Sequence, residues 1–266
     1  MQSALAFLKR DFLIATSYRV AFLVQLLGIL MAVPVFFFMG RMVPTATAGA
    51  LSKYGGSYFA FLLIGVAFMD YLAISLKTFT ESLRESQLMG TLEIVLLSPT
   101  SLWQLLIYSS LWIYLLTTFR FALYLLAGVA FGLDLRNANA PAALLVLALS
   151  VPAFASIGIL SASVTMVIKR GESLNMGLST LALALGGVLF PLDVMPVWLQ
   201  RAGQLLPVTH ALEAMRRSLF AGAGVMDLLP QLSVLLLFTV VLFPISLSCF
   251  HLAVRASKRS GSLAQY

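Results

Sequence analysis

Charge is what this sequence has least of. Seventeen Lys and Arg and ten Asp and Glu make up 10% of the 266 residues, against roughly a quarter in an ordinary soluble domain. That is too little polar surface to clothe a water-exposed core, and the 61% of hydrophobic residues fall in long blocks rather than short alternating runs. A soluble globule is excluded, and the solvent for most of the chain is lipid. Cysteine is nearly missing too: Cys249 stands alone inside an apolar block, which excludes an intramolecular disulfide. No G-x-x-x-x-G-K-S/T loop occurs, so the chain does not cradle ATP in that way. His210 and His251 have no Cys or carboxylate at metal-ligand spacing. No cluster of His, Asp, Glu or Ser marks a membrane-embedded lipid-modifying enzyme. Fixed-period repeats and low-complexity tracts are absent as well.

What is present is a series of charge-free windows, each near the 20 residues or so that a helix needs to cross the hydrocarbon. Six emerge, over about 20–40, 57–84, 102–132, 141–168, 173–192 and 228–254, the second continuing past Lys77 as a wet helix. The first starts well inside the chain and lacks a small-residue cleavage site, so it reads as a retained span rather than a secretory signal. Before it, Ala4, Leu5, Leu8, Phe12 and Ala15 recur at helical spacing beside Lys9, Arg10 and Asp11, which predicts an amphipathic helix on the membrane surface within residues 1–19. The fold expected is all-α and polytopic, a six-span domain over 20–266.

The net charge of +7 sits between the apolar blocks, where it sets topology and meets anionic headgroups rather than nucleic acid. Lys9, Arg10, Arg19, Lys77, Arg84, Lys169, Arg170, Arg255, Lys258 and Arg259 fall on the side of the termini. Arg41, Lys53, Arg136, Arg201, Arg216 and Arg217 fall on the other. The imbalance predicts cytoplasmic termini. Gly158, Ser161, Ala162, Gly177, Gly186 and Gly187 are available for close helix contacts.

Two connections are too structured to be simple turns. In residues 77–101, Lys77, Glu81, Arg84 and Glu85 have the spacing of a solvated helix, and Gly90 breaks it. Thr91 then caps a two-turn helix with Glu93 in its first turn, Leu92, Ile94, Val95, Leu96 and Leu97 around it, and Ser98-Pro99 at its end. In the second connection, Pro191 and Pro196 bracket a break and Trp198 and Leu199 suit an interfacial anchor. Pro207 and Thr209 start a helix with Ala211, Leu212, Met215, Leu219 and Phe220 on one face.

Arg84-Glu85 followed by GTLEIVLLSP (Gly90 to Pro99) resembles the coupling-helix segment of type-2 ABC exporter permeases, the membrane subunits of drug, polysaccharide and lipid exporters. GGVLFPLDVMPVWLQRAGQLLPVTHALEAMRRSLF (Gly186 to Phe220) is similar to the re-entrant outer segment that follows span five in that family, here 193–222. The resemblance implies a bacterial or archaeal cytoplasmic-membrane protein and a second permease chain, identical or closely related. It also implies two copies of an ATP-binding subunit that carry ATP and Mg. Arg84, Glu85, Gly90, Thr91, Leu92, Glu93, Leu96, Leu97, Ser98 and Pro99 would couple to that subunit, and no cofactor would bind this chain. It further implies that spans two and five line the path, which makes Phe61, Phe68, Leu185 and Phe190 candidate cargo contacts.

Asp70 and Arg120 are the ionisable residues deep in spans. Asp70 is 13 residues from Ser57 and Arg120 is 12 from Gly132, so each is about 20 Å down from the same side. Their matched depth predicts a pair, either a structural tie between neighbouring helices or part of a gate or cargo contact. An ion-coupled carrier would place more than one acid near the midplane, and Asp70 has only Arg120 for company.

Overall fold

The computed structural model describes residues 19–42, 51, 57–88, 102–168 and 171–259. The expected surface helix over 3–18 and the coupling segment Gly90–Pro99 lie outside these residues. All regular structure among them is helical: α1 Arg19–Met42, α2 Tyr58–Leu88, α3 Leu102–Ala130, α4 Ala140–Ile168, α5 Gly171–Leu185, α6 Val197–Gln204, α7 Pro207–Phe220 and α8 Leu229–Arg259, with a 3-10 turn at Leu192–Val194.

Four of these helices are long and apolar enough to cross a membrane, in the segments Tyr58–Glu81, Ser110–Ala130, Ala140–Met166 and Leu229–Ala256. The apolar part of α1 is shorter, Leu26–Met42. Helix α5 has 15 residues, about 22 Å of helix against roughly 30 Å of hydrocarbon, and stops at Leu185 although its charge-free window runs to Leu192.

Local chemistry accounts for the helix ends. Ser57 Oγ accepts from the Ala60 amide at 3.3 Å and opens α2, and Asn139 Oδ1 accepts from the Ala142 amide at 3.1 Å and opens α4. Helix α3 ends on Gly132, whose φ of 94° lets the Leu133 amide return to the Gly128 carbonyl and its own amide to Val129. Pro191 and Pro196 precede the 3-10 turn and α6, and Pro207 occupies the first turn of α7.

Helix α4 sits at the centre, packed against α2, α5, α7 and α8, while α2 also meets α1, α3, α5 and α7. Enclosed by neighbours, α2 is buried on nearly all sides from Phe59 to Phe79, as its run of apolar residues requires. Phe68 lies at the middle of an aromatic cluster, with ring centroids 5.5 Å from Tyr71, 5.8 Å from Phe121 and 6.0 Å from Phe154. Helix α4 approaches α2 through small residues, and the buried Gly158 faces the Ser75 backbone. The hydroxyls of Ser150, Ser156, Ser163 and Thr165 donate to their own helix four residues back. By contrast α8 leaves Leu236, Leu237, Val240, Val241, Ile245 and Leu252 exposed, an outward apolar face suited to lipid.

The bundle has two distinguishable ends. The hairpin end holds the start of α2, the α3–α4 turn and the end of α7, joined by the Asn139 amide donating to Ser218 O at 2.9 Å. A cavity of about 300 Å³ there is lined by Ser57, Ala60, Gly132, Leu133, Asp134, Asn137 and Phe220. The opposite, tail end holds the α4–α5 junction and the last turns of α2.

Candidate functional site

The hairpin end is organised by a residue that the charge count assigned to a loop. Arg216 on α7 is 2% exposed. Its guanidinium donates from Nη1 to Gly187 O at 2.7 Å, and from Nη2 to Val188 O at 3.1 Å and Phe61 O at 2.9 Å. The carbonyls of residues 187 and 188 follow the end of α5, where no helical amide remains to meet them and the helix dipole is negative. The same guanidinium lies over the Phe61 ring, its carbon 3.4 Å from the centroid. Gly65 on α2 makes the space: a Cβ there would stand 2.5 Å from Val188 O and 2.8 Å from Arg216 Nη2. Beside this knot, Tyr58 OH donates to Leu189 O at 3.0 Å.

The tail end carries a second polar knot. Asn175 on α5 donates from Nδ2 to Leu76 O at 3.1 Å and to Thr80 Oγ1 at 3.2 Å, both on α2. Its Oδ1 accepts a hydrogen bond from Ser161 Oγ on α4. One amide therefore ties three helices.

Between the knots, α2 and α3 share a polar seam. Tyr71 OH donates to Thr118 Oγ1 at 3.0 Å, and Ser75 Oγ and Tyr114 OH are 2.8 Å apart. Asp70 and Arg120 are partly buried on these two helices, each within the other's electrostatic field but without a direct ion contact. Arg120 Nε is buried and makes no hydrogen bond. The proposed cargo contacts are dispersed. Phe61 and Phe68 are fully interior to the single chain, Leu185 is half-buried at the end of α5, and Phe190 is exposed. The backbone of Arg84 and Glu85 belongs to the last turns of α2.

The family described as ABC-2 family transporter protein matches this chain over residues 50–248, the greater part of its length. The chain belongs to the ABC-2 transporter family. No curated protein matches it. As an ABC-2 membrane protein it is a permease, the transport component of an ABC transporter. It is not itself the catalyst, and it works with an ABC ATP-binding subunit.

The match to the ABC-2 family begins before α2 and ends within α8, so both knots, the polar seam and residues 90–99 fall inside it. Neither knot was singled out from the sequence. Arg216 carried a readable signal, since it stands four residues after Leu212 and three before Leu219, on the apolar face of α7, whereas Arg217 does not. Asn175 carries no formal charge, and a reading by charge-free windows passes over it.

Proposed function

We propose that the chain is the permease subunit of an ATP-driven exporter in which two permease chains, identical or closely related, enclose the path of an amphiphilic cargo. The family match across residues 50–248, which takes in the segment from Arg84 to Pro99, carries the reading. In this scheme the chain makes six spans, α1 and α5 supplying the two beyond the four long apolar helices, with both termini cytoplasmic and the α6–α7 segment dipping into the outer membrane face. Two ATP-binding subunits, holding ATP and Mg, each grip one coupling helix at Gly90–Pro99. Six helices are few to surround an amphiphile, while two sets of six can form a path between them. The apolar interior favours a hydrophobic drug, glycolipid, lipid-linked glycan or lipid over a small ion. Closure of the motors on ATP would move the coupling helices and turn the path from one face to the other.

Purification of a tagged copy from its native membrane in mild detergent tests this reading. The wild type is expected to bring an ATP-binding subunit with it near one to one. Glu93→Lys, which reverses a charge in the first turn of the coupling helix, is expected to insert normally and to lose the subunit or its ATPase activity. A well-folded wild type with no accompanying ATPase would defeat the proposal and turn attention to Asp70 and Arg120 as parts of an ion-coupled carrier.

In the permease reading Asp70 and Arg120 balance each other's charge across the α2–α3 seam. Asp70→Asn or Arg120→Gln alone leaves one uncompensated charge in the membrane, a cost of about 2.5–3.5 kcal/mol on insertion scales. The double variant is expected to be more stable than either single one in thermal unfolding of the detergent-purified protein. Losses that add in the double variant would dismiss the pairing.

A further inference from the structure

Helices α2 and α5 are tied at two levels and by different chemistry. At the tail end, Asn175 holds Leu76 O and Thr80 Oγ1. At the hairpin end, Arg216 holds Phe61 O together with the two carbonyls that follow α5. Phe61 and Leu76 are about four turns apart, roughly 22 Å along α2, so the ties sit near opposite faces of a membrane. The Arg216 tie is built rather than incidental. The Arg216 side chain is almost wholly withdrawn from solvent, a placement that is costly for a guanidinium unless hydrogen bonds compensate; Nη1 and Nη2 have backbone acceptors, while the buried Nε makes no hydrogen bond. The slot it occupies exists because position 65 has no Cβ. Its planar fork serves Gly187 and Phe61 in different directions while its face lies on the Phe61 ring, which a lysine ammonium cannot reproduce.

The backbone of α2 runs to Leu88, directly before the segment proposed to meet the ATP-binding subunit. We infer that α2 and α5 move as one body, pinned at two levels, and that Arg216 is the positioning residue that carries displacement of this body to the α5–α7 break. Displacement of the tail end of α2 then reaches the hairpin end without stretching a flexible link. Without the Arg216 pin, α2 still moves but residues 187–190 do not follow. The inference rests on the permease reading given above.

The natural chain has a single cysteine, so a reporter is simple to install. In a Cys249→Ala background, Phe190→Cys places a thiol at a position 53% exposed, just beyond the carbonyls that Arg216 holds. The complete complex with its ATP-binding subunit, in vesicles, is labelled with a membrane-impermeant maleimide, nucleotide-free and after trapping with ATP and vanadate. The labelling rate is expected to differ between the two states by at least about fivefold, the lower end of ordinary coupling between sites. Arg216→Met and Asn175→Ala are expected to abolish that difference while ATP hydrolysis persists, and Arg216→Lys to restore part of it. A difference retained in the variants, or absent from the parent despite ATP hydrolysis, overturns the inference. Failure of any ATPase to accompany the parent instead overturns the permease reading. Should Arg216→Met not assemble, Asn175→Ala and Arg216→Lys decide by the same criterion.

Discussion

Gly158→Leu is expected to abolish the folded bundle. An added Cβ at this position of α4 would stand 2.2 Å from the carbonyl oxygen of Ser75, 2.7 Å from its carbon and 2.8 Å from Phe79 Cδ2. Two of the three obstructions are main chain, so no rotamer change removes them, and α4 and α2 must separate. Separation affects more than one contact, because α2 and α4 are the two helices around which the others assemble. In lipid there is little hydrophobic drive between helices, and close packing supplies most of their attraction. Overpacking by one small group typically costs about 1–3 kcal/mol; a leucine against backbone exceeds that and takes a large share of the roughly 5–15 kcal/mol that holds a domain together. Size-exclusion profiles and thermal unfolding in detergent are the measurements, with Gly158→Ala expected to be folded but clearly weakened. Gly177→Leu is the control: nothing lies within 4 Å of its added Cβ, and its folding stability should stay within about 0.5 kcal/mol of the parent.

The second large effect is expected at Phe68. Its ring is fully buried among Tyr71, Phe121 and Phe154 in edge-on and tilted contacts, so truncation to alanine opens a cavity bounded by three helices. Buried Phe→Ala changes cost about 3–5 kcal/mol. The lower end applies here, since an apolar side chain gains less from burial when the alternative solvent is lipid. Phe68→Leu keeps much of the volume and should cost less than about 1.5 kcal/mol. The pair of variants also bears on the cargo path. If Phe68 is a packing residue, transport and stability fall together, whereas a cargo contact would lose transport in Phe68→Leu with stability nearly intact.

Long spans were legible because a charge-free window measures the property that a membrane imposes, and α2, α3, α4 and α8 carry the longest apolar segments. The stop of α5 was not, because Gly186 and Gly187 are uncharged and apolar and do not interrupt such a window. The break shows only when its orphan carbonyls are followed to Arg216. That arginine was readable from its register on α7, yet counting it as a loop charge hid the possibility of burial. The depths of Asp70 and Arg120 could be read from residue counts, but the intervening geometry depends on how far α2 and α3 stand apart, which residue counts do not contain. Phe61 and Phe68 show the same gap. Their helix was identifiable, and which of its faces the rest of the chain covers was not.

The serines and threonine of α4 carry a further consequence. Ser150, Ser156, Ser163 and Thr165 each close a hydrogen bond within their own helix, so their hydroxyls make no demand on the surfaces they press against. Among them only Ser161 reaches outward, to Asn175. The hold of α4 on its neighbours therefore rests on shape, as at Gly158 against the Ser75 backbone. Among the described residues, polar bonding adds a single side-chain tie, from Ser161 to Asn175, so a substitution that alters the contour of α4 is felt more widely than one that removes a hydroxyl.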